Sequence, residues 1–506
     1  MNAYPRRVVV ADDITGAAEM AGIAHRHGLR TQLLMWTDPV AMQQFSPQTG
    51  AEVVVIATDT RSGTAAEAIH TTAAVAELLK RWACEASGPA GETAHMAGAA
   101  PATVAPWAVF KKTDSALRGH IAAETTALMT ALGYRRALLM AQNPSRGRVI
   151  AADGQYYVGG VPLAQTAFRY DPEFPANTSC AHDLVRSRYA DTPDTLCIAS
   201  ATTVDEVARQ VEQTDALTLV AGAADCFEAF LRKVSRTRSM ASLHDVLHSG
   251  GTPMPSRAAG EPKAPADKPS APMESCLEPA APATAKPCHQ ASGPALQTLA
   301  PTVSPSACGA WIIVCGSTQS RPLAGEPFIC RIGAEEVGMT DEAFHGGEAE
   351  PWMAELVQSY RAHGSVVLTI GHPSTGGRAY AIRLRSLMAE AMDRLIACRW
   401  PDHIVIEGGA TAFALLGRLG WHTFQVSAEL APGIVSMTYT PPADGAHRLA
   451  DPAQTAAPTA CAPTPCTPTA RTPSVHTHGP VRLILKPGSY PWGDLFASPN
   501  DLSGLA

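Results

Sequence analysis

Short runs of β-branched and other apolar residues alternate with longer segments of helical spacing along most of this 506-residue chain. Three of these runs, Arg7–Ala11, Val53–Ala57 and Trp311–Cys315, are almost wholly apolar, as strands covered on both faces are. A strand that is followed by a helix and then by another strand packs as a parallel sheet with helices on its faces. The pattern therefore predicts an α/β fold, with two α/β domains built on mainly parallel sheets.

Two tracts rich in Ala, Pro, Ser and Thr interrupt this alternation, over about 239–309 and about 441–479. They contain few large apolar residues, so burial cannot offset the conformational entropy that ordering them would cost. We therefore expect an N-terminal domain over 1–238, a low-complexity disordered linker or insertion over 239–309, and a C-terminal domain over 310–506. The second tract is expected to be a disordered insertion within the C-terminal domain.

The charge of the chain bears on its partners. A formal net charge of −7 gives no general attraction for nucleic acid or for an anionic membrane. No apolar run approaches the roughly 18 residues that span a bilayer, and the N-terminal residues lack the long apolar core of a signal peptide. These features predict a cytoplasmic protein that acts on small molecules, with no nucleic acid and no membrane as partner.

Two adjacent aspartates follow the first predicted strand. Asp12 and Asp13 precede a Thr-Gly step that leads into an alanine-rich segment of helical spacing. Ligands of parallel α/β sheets bind at the carboxyl ends of the strands, which makes this position a candidate site. One carboxylate can cap the following helix. The other is then available to accept a proton or to bind Mg²⁺ or a substrate hydroxyl.

Two further motifs follow predicted strands in the first half. "ATDTRSG" supplies Asp59 and Arg61, and "FKKTDSALRGH" supplies Lys112, Asp114 and Arg118. A guanidinium group matches a carboxylate in bidentate geometry, and a lysine adds a compact positive charge. This mixture suits an anionic, polyhydroxylated substrate. The alternative is that Arg61 and Arg118 form local ion pairs with Asp59 and Asp114.

Five motifs of the first half resemble, in sequence and in order, the successive signatures of the four-carbon acid sugar kinase family: "ADDITGAAE", "TDTRS", "FKKTDSALRG", "GGVPLAQTAFRYDP" and "GAADCFEAFL". The resemblance covers the chain outside the low-complexity tracts. It implies an N-terminal domain that binds a sugar acid of the threonate, erythronate or 3-oxo-tetronate type. It also implies a C-terminal domain that binds ATP, and transfer of a phosphoryl group to the terminal hydroxyl.

This resemblance implies roles for the charged residues that follow the strands. One aspartate would orient the C4 hydroxyl toward the γ-phosphate, with Mg²⁺ bridging the phosphates. The choice among the aspartates stays open, and no metal ligand is assigned. The catalytic candidates are Asp12, Asp13 and Asp114, and the candidates for binding the sugar-acid carboxylate are Arg61, Lys112 and Arg118.

Four motifs of the second half resemble the nucleotide-binding segments of that family: "VCGSTQSRP", "TIGHPSTGGR", "IEGGATAFALLGRLGW" and "LILKPGSYPWGDLF". Glycines at strand-to-helix turns let backbone N–H groups and helix N-termini face phosphate oxygens. Ala410 departs from the family pattern, which has Asp or Glu there, so Glu407 or another group would have to replace that side chain. The ATP-binding candidates are Ser317, Gly371, Gly408, Gly409, Ala410, Thr411 and Gly488.

Other functions stay open beside this one. The enzyme could be a 3-oxo-tetronate 4-kinase or a kinase of another small sugar acid. A metal-dependent phosphohydrolase could use the same pair of aspartates, and Ala410 is compatible with a diverged sugar-acid-binding protein that has no catalytic activity. The motifs leave the oligomeric state open.

Overall fold

A computed structural model gives the structure of the chain. Residues 249–308 of the linker predicted over 239–309, residues 443–477 of the predicted insertion and the candidate Ser317 lie outside the described residues. The described residues are 7–37, 42, 45–48, 50–87, 107–171, 173–248, 309–316, 323, 325–372, 377–442, 478–488 and 492.

The strands are, in chain order, β1 Arg7–Ala11, β2 Thr31–Met35, β3 Val53–Ala57, β4 Ala108–Lys112, β5 Arg136–Met140, β6 Arg148–Ile150, β7 Tyr156–Val158, β8 Val161–Pro162, β9 Leu196–Ile198, β10 Thr218–Gly222, β11 Trp311–Cys315, β12 Glu335–Gly338, β13 Ser365–Thr369, β14 His403–Glu407, β15 Thr423–Ala431, β16 Ile434–Tyr439 and β17 Val481–Lys486.

The α-helices of the described residues are, in chain order, Ile14–Arg26, Ala65–Ser87, Ile121–Leu132, Ala181–Arg188, Val204–Glu212, Ala224–His248, Pro327–Ile332, Asp341–His345, Glu350–His363, Arg378–Cys398 and Gly409–Arg418. None of these helices combines the length and the apolar character that a membrane crossing requires.

The α/β class predicted from the sequence is confirmed. Strands β2, β3, β1, β4, β10, β5 and β9 lie side by side and parallel in the first half, and β12, β13, β11, β14 and β17 do so in the second half. Each of β1, β3, β11 and β13 is buried along its whole length, which explains why these strands are apolar at nearly consecutive positions rather than at alternate ones.

Both parallel groups belong to one 14-stranded sheet. Between them lie β16 and β15, and the pairings β17–β16, β16–β15 and β15–β2 are all antiparallel. Because these three reversals separate the two groups, their strands run in opposite senses. The described residues of 7–237 and 309–492 form one compact unit, while the helix Ala224–His248 continues past residue 238, where the first domain was predicted to end.

Twist explains how strands of opposite sense can present their carboxyl ends to one another. Six pairings separate β1 from β14 in the sheet order. At about 20–25° of twist for each pairing, the rotation adds up to roughly 120–150°, which cancels most of the reversal. The helices Ile14–Arg26 and Gly409–Arg418, which follow β1 and β14, are in contact in the structure.

Candidate functional site

Asp13 is the N-cap of the helix Ile14–Arg26, so the cap expected of one aspartate is provided by the second of the pair. Its Oδ1 accepts a hydrogen bond from the Gly16 backbone N–H at 2.9 Å, and the Thr15 hydroxyl donates to Oδ2. A side chain at Gly16 would place its Cβ 2.6 Å from Asp13 Oδ1, which is too close for any other residue without a shift. Asp12 takes no part in the cap.

Arg61 joins the three carboxylates that the sequence offered as catalytic candidates. Its Nε donates to Asp12 Oδ2 at 2.7 Å, and its Nη2 donates to Asp13 Oδ1 at 3.0 Å. The third nitrogen, Nη1, lies 3.7 Å from Asp114 Oδ1. The motifs meet because β3, β1 and β4 are neighbours in the sheet and end at the same edge. We call these four side chains the carboxylate cluster.

Charge within the carboxylate cluster keeps Arg61 and Asp12 ionised. Burial acts to lower the pKa of Arg61, but the charges of Asp12, Asp13 and Asp114 raise it well above its usual range. Burial acts to raise the pKa of Asp12, and the positive charges of Arg61 and the neighbouring lysines outweigh that effect, so this pKa is lowered.

Asp12 has one free oxygen. The residue is 1% exposed, and its Oδ1 has no hydrogen-bond partner among the described residues. A buried ionised oxygen without a partner is unfavourable unless a donor or a cation satisfies it. Mg²⁺ is held by one or two carboxylates together with phosphate oxygens and water, so Asp12 Oδ1 fits one such ligand position. No group of three or more Asp, Glu, His or Cys side chains suited to a metal occurs in the described part of the chain.

Arg118 pairs with Asp114 in bidentate geometry. Its Nε and Nη2 donate to the two carboxylate oxygens at 3.1 and 2.9 Å. Burial acts to raise the pKa of Asp114, and the charges of Arg61 and Arg118 hold it far below its usual range instead. The local pair considered from the sequence therefore forms at Arg118, whereas Arg61 pairs with Asp12 and Asp13 rather than with Asp59.

Arg118 also has one nitrogen directed away from this pair. Its Nη1 makes a long contact of 3.4 Å with Asp171 Oδ2, and the side chain is 31% exposed. The guanidinium carbon lies 5.5 Å from the centroid of the Phe168 ring. Of the two arginines, Arg118 is therefore the one with a donor accessible to a bound anion.

Two buried lysines end β4 and make different contacts. Lys111 Nζ lies 2.8 Å from Glu124 Oε2, and both side chains are 1% exposed. Lys112 Nζ donates to the Thr113 carbonyl at 3.0 Å and lies 3.4 Å from Glu19 Oε2. Sequence reasoning missed both glutamates. Glu19 could have been found, because it lies four residues after Thr15 and so on the same face of the helix.

Asp59 occupies an unusual backbone position after β3. Its φ of 52° lies in the left-handed region, which Asp tolerates better than most residues. Burial and the negative charge of Asp13 raise the pKa of Asp59 to about 7, against the positive charges of Arg385 and Arg61. Arg385 belongs to the helix Arg378–Cys398, so a cation of the second half acts on this loop of the first half. No local sequence pattern indicates that pairing.

Glycines shape the corresponding sheet edge of the second half. Gly316 follows β11, and a Cβ there would lie 2.1 Å from Thr411 Oγ1. Gly408 has a φ of 95° and precedes the helix Gly409–Arg418, whose first turn receives no hydrogen bond from the N-cap side chain. Free backbone N–H groups at a helix start, reached over glycine, suit phosphate oxygens, so these residues fit a nucleotide.

The remaining ATP-binding candidates lie near this edge. Thr411 is buried, Ala410 is exposed in the first helical turn, and Gly371 and Gly488 each follow the end of a strand, β13 and β17. Glu407, considered as a substitute for the acidic residue missing at Ala410, accepts a hydrogen bond from Lys486 Nζ at 2.5 Å. We call Gly316, Gly408, Gly409 and Thr411 the glycine edge.

The carboxylate cluster and the glycine edge come together at one contact. A Cβ built on Gly409 would lie 2.8 Å from Thr15 Cγ2 and 3.4 Å from Thr15 Oγ1. Thr15 is the residue whose hydroxyl donates to Asp13. The first turns of the helices that follow β1 and β14 therefore meet directly, although 394 positions separate Thr15 from Gly409 in the sequence.

Comparisons with known proteins agree with this arrangement. Residues 7–227 match the family model described as a sugar-binding N-terminal domain. The chain is similar to D-threonate kinase of Salmonella typhimurium, 34% identical over 180 residues that make up 36% of each chain. It is also similar to D-erythronate kinase of Heliobacterium modesticaldum, 27% identical over 182 residues, again 36% of each chain.

These matched segments span only about a third of the length of those relatives. A longer match is to 3-oxo-tetronate kinase of Methylobacterium radiotolerans, 26% identical over 437 residues, which are 84% of this chain and 90% of the relative. Among solved structures, Haemophilus influenzae protein HI1011 shares the fold with a TM-score of 0.54 at 15% identity, over 98% of this chain and 99% of the other.

The structure is an α/β fold, and its residues 7–227 are similar to a sugar-binding N-terminal domain. The relatives to which the chain is similar are named as kinases of threonate, erythronate and 3-oxo-tetronate.

Proposed function

We propose that the protein is an ATP-dependent kinase that phosphorylates the terminal hydroxyl of a four-carbon sugar acid, of the threonate or erythronate type, to its 4-phosphate. The contact between Thr15 and Gly409 is the observation that carries this proposal. A kinase must hold acceptor and donor together, and here a charged site suited to a hydroxy acid adjoins a glycine-lined helix start suited to phosphates. We propose the cytoplasm, where ATP is available, as the location of the reaction.

Arg118 supports the binding of the substrate carboxylate. Each nitrogen of Arg61 already faces an aspartate, so we assign Arg61 to holding the carboxylates in place. The Nη1 of Arg118, which makes only a long contact of 3.4 Å with Asp171 Oδ2, can donate a charge-assisted hydrogen bond to the acid, and Lys112 adds positive charge nearby. Tetronates carry one carboxylate, which this arrangement can accommodate.

Asp13 is the proposed proton acceptor. Its side chain is 14% exposed, against 2% for Asp12, and it adjoins Thr15 at the contact with the glycine edge. The C4 hydroxyl donates to this carboxylate while its oxygen forms the bond to phosphorus and the bond to the ADP oxygen breaks. The proton then passes to solvent. Asp12 Oδ1 would hold Mg²⁺ as a protein ligand, and the bound ion would neutralise charge on the phosphates.

The test is direct assay with Mg²⁺-ATP. Purified protein is incubated with the D and L forms of threonate and erythronate, with 3-oxo-tetronates and with D-glycerate. ADP release and the phosphorylated acid are measured together. Transfer to a four-carbon acid, in amounts equal to the ADP released, supports the proposal and names the substrate. Loss of phosphate from a sugar-acid phosphate without ATP would indicate a phosphohydrolase instead.

The first turn of the helix Gly409–Arg418 favours a second candidate, a sugar-acid-binding protein without kinase activity. This turn contains no acidic residue, and Glu407 is engaged by Lys486. Binding of a tetronate without transfer across the whole panel is the result expected for that function.

A further inference from the structure

Gly409 is a glycine for a reason that its own backbone does not explain. Gly408 has a φ of 95°, a backbone conformation that favours glycine. Gly409 is the first residue of the helix and does not have a positive φ. Alanine is the better helix former at such a position. The methyl group of Thr15 supplies the reason, because it would lie only 2.8 Å from an added Cβ.

Thr15 links this contact to the carboxylate cluster. Its methyl group faces Gly409, and its hydroxyl donates to Asp13 Oδ2. Asp13 Oδ1 in turn accepts from Gly16 N–H and from Arg61. The Asp13 carboxylate is thus held by three hydrogen bonds, one of which comes from Thr15. A movement of Thr15 therefore shifts this carboxylate or breaks that hydrogen bond.

We infer that Gly409 is a positioning residue for Asp13, and that it acts through Thr15. The helix Gly409–Arg418 packs closely against Thr15 and thereby keeps the Thr15 hydroxyl hydrogen-bonded to Asp13. This contact couples the phosphate-binding turn to the proton acceptor. The inference rests on the proposed kinase function. It adds that one methyl group at position 409 would reduce transfer without any change to a charged residue.

The chain offers a matched control for this inference. Gly417 lies in the same helix, and among the described residues an added Cβ there would meet only Thr37 Cγ2, at an ordinary contact distance of 3.5 Å. Gly417→Ala thus adds the same methyl group to the same helix, away from Thr15. Thr15→Ser keeps the hydroxyl and removes the methyl group that obstructs residue 409.

The experiment compares Gly409→Ala, Gly417→Ala, Thr15→Ser and the double variant Thr15→Ser/Gly409→Ala. Because misplacing a reacting group by about 1 Å can cost on the order of 10²-fold in rate, we expect Gly409→Ala to lower kcat by at least about tenfold. We expect the KM for the sugar acid to change much less, with wild-type kcat in Gly417→Ala and recovery of most of the lost kcat in the double variant.

Two results would overturn the inference while leaving the kinase proposal intact. One is a wild-type kcat in Gly409→Ala. The other is a low kcat that Thr15→Ser does not rescue, which would show that the added methyl group acts on the nucleotide directly. A wild-type protein that transfers nothing overturns the kinase proposal and this inference together, so the two failures are distinguished by the wild-type assay.

Discussion

The carboxylate cluster and the glycine edge occupy equivalent positions, each at the carboxyl ends of parallel strands. They differ in the chemical groups that form them. The first consists of charged side chains that hold one another through Arg61. The second consists of backbone at Gly316 and Gly408, beside the buried pair Glu407–Lys486. A hydroxy acid must be recognised and deprotonated by side chains, whereas phosphates can be held by backbone N–H groups.

Replacement of Arg61 tests the charged side of this comparison and should have the largest effect. Arg61→Lys leaves one compact ammonium group where three nitrogens face three carboxylates. Losing a partner of buried charges costs about 3–5 kcal/mol, so we expect chemical denaturation to show a loss of that order and transfer to fall below detection. Arg136→Lys is the control, because its pair with Asp215 is exposed and should contribute little. Equal stability of the two variants would contradict the central role of Arg61.

Asp13→Asn separates capping from catalysis. Asn is as good an N-cap as Asp, so the helix Ile14–Arg26 should keep its stability. It cannot accept a proton from the substrate, and we expect kcat to fall by about 10²–10⁴-fold. Binding of ATP, measured by calorimetry, should persist. Full activity in this variant would remove Asp13 from the catalytic residues and leave Asp12 and Asp114 as the candidates.

Gly316→Ala tests the backbone side of the comparison. Its Cβ would meet Thr411 Oγ1 at 2.1 Å, so the glycine edge must move. Overpacking of this kind costs about 1–3 kcal/mol of stability. If the strain is relieved by displacement of the glycine edge, we expect the KM for ATP to rise by up to roughly 150-fold. The affinity for the sugar acid should stay unchanged. Gly338→Ala, where the nearest heavy atom lies 3.9 Å away, serves as the control. A rise in both KM values would show that the two sites are not built separately.

Asp59→Asn should give the smallest effect, and its sign depends on pH. The pKa of Asp59 is raised from 3.8 to about 7 in the folded protein, so the folded state favours the protonated form. The stability linked to that proton is present below pH 4 and is lost as the pH rises through 7. Asn cannot ionise and tolerates the positive φ of this position.

Denaturation at pH 5 and at pH 8 measures this effect. We expect Asp59→Asn to gain roughly 1 kcal/mol of unfolding free energy over the wild type between the two values, less than the full linkage because solvent relaxes a partly exposed carboxylate. A variant whose stability relative to the wild type is the same at both values would show that Asp59 keeps an ordinary pKa.

Much of this structure could be predicted from local sequence. Strands β1, β3 and β11 have the predicted bounds. Wholly apolar runs are a strong local signal, and residues placed directly after such strands were bound to lie at the carboxyl edge. Strands β12 and β16 were missed. The first reads Glu-Glu-Val-Gly, with only one buried position, and its place at the end of the sheet comes from pairing with β13.

The contacts within the site could be predicted less well. Adjacent aspartates after β1 indicated one cap and one spare carboxylate, and the cap is Asp13. Arg61 contacts Asp12 and Asp13 instead of Asp59. This choice of partners depends on the directions of side chains that follow two different strands. Glu124, which neutralises Lys111, reads in the sequence as an ordinary acidic residue in a first helical turn.

The sequence by itself determined the strand-turn-helix units and the residues they carry, because burial patterns and helix caps act over a few neighbouring positions. Only the tertiary structure decided that the two halves share one sheet and that Thr15 meets Gly409. The antiparallel pairings through β15 and β16 reverse the strand direction, and accumulated twist turns the two edges toward each other. Direction and twist are properties of pairings between distant segments, which no local pattern encodes.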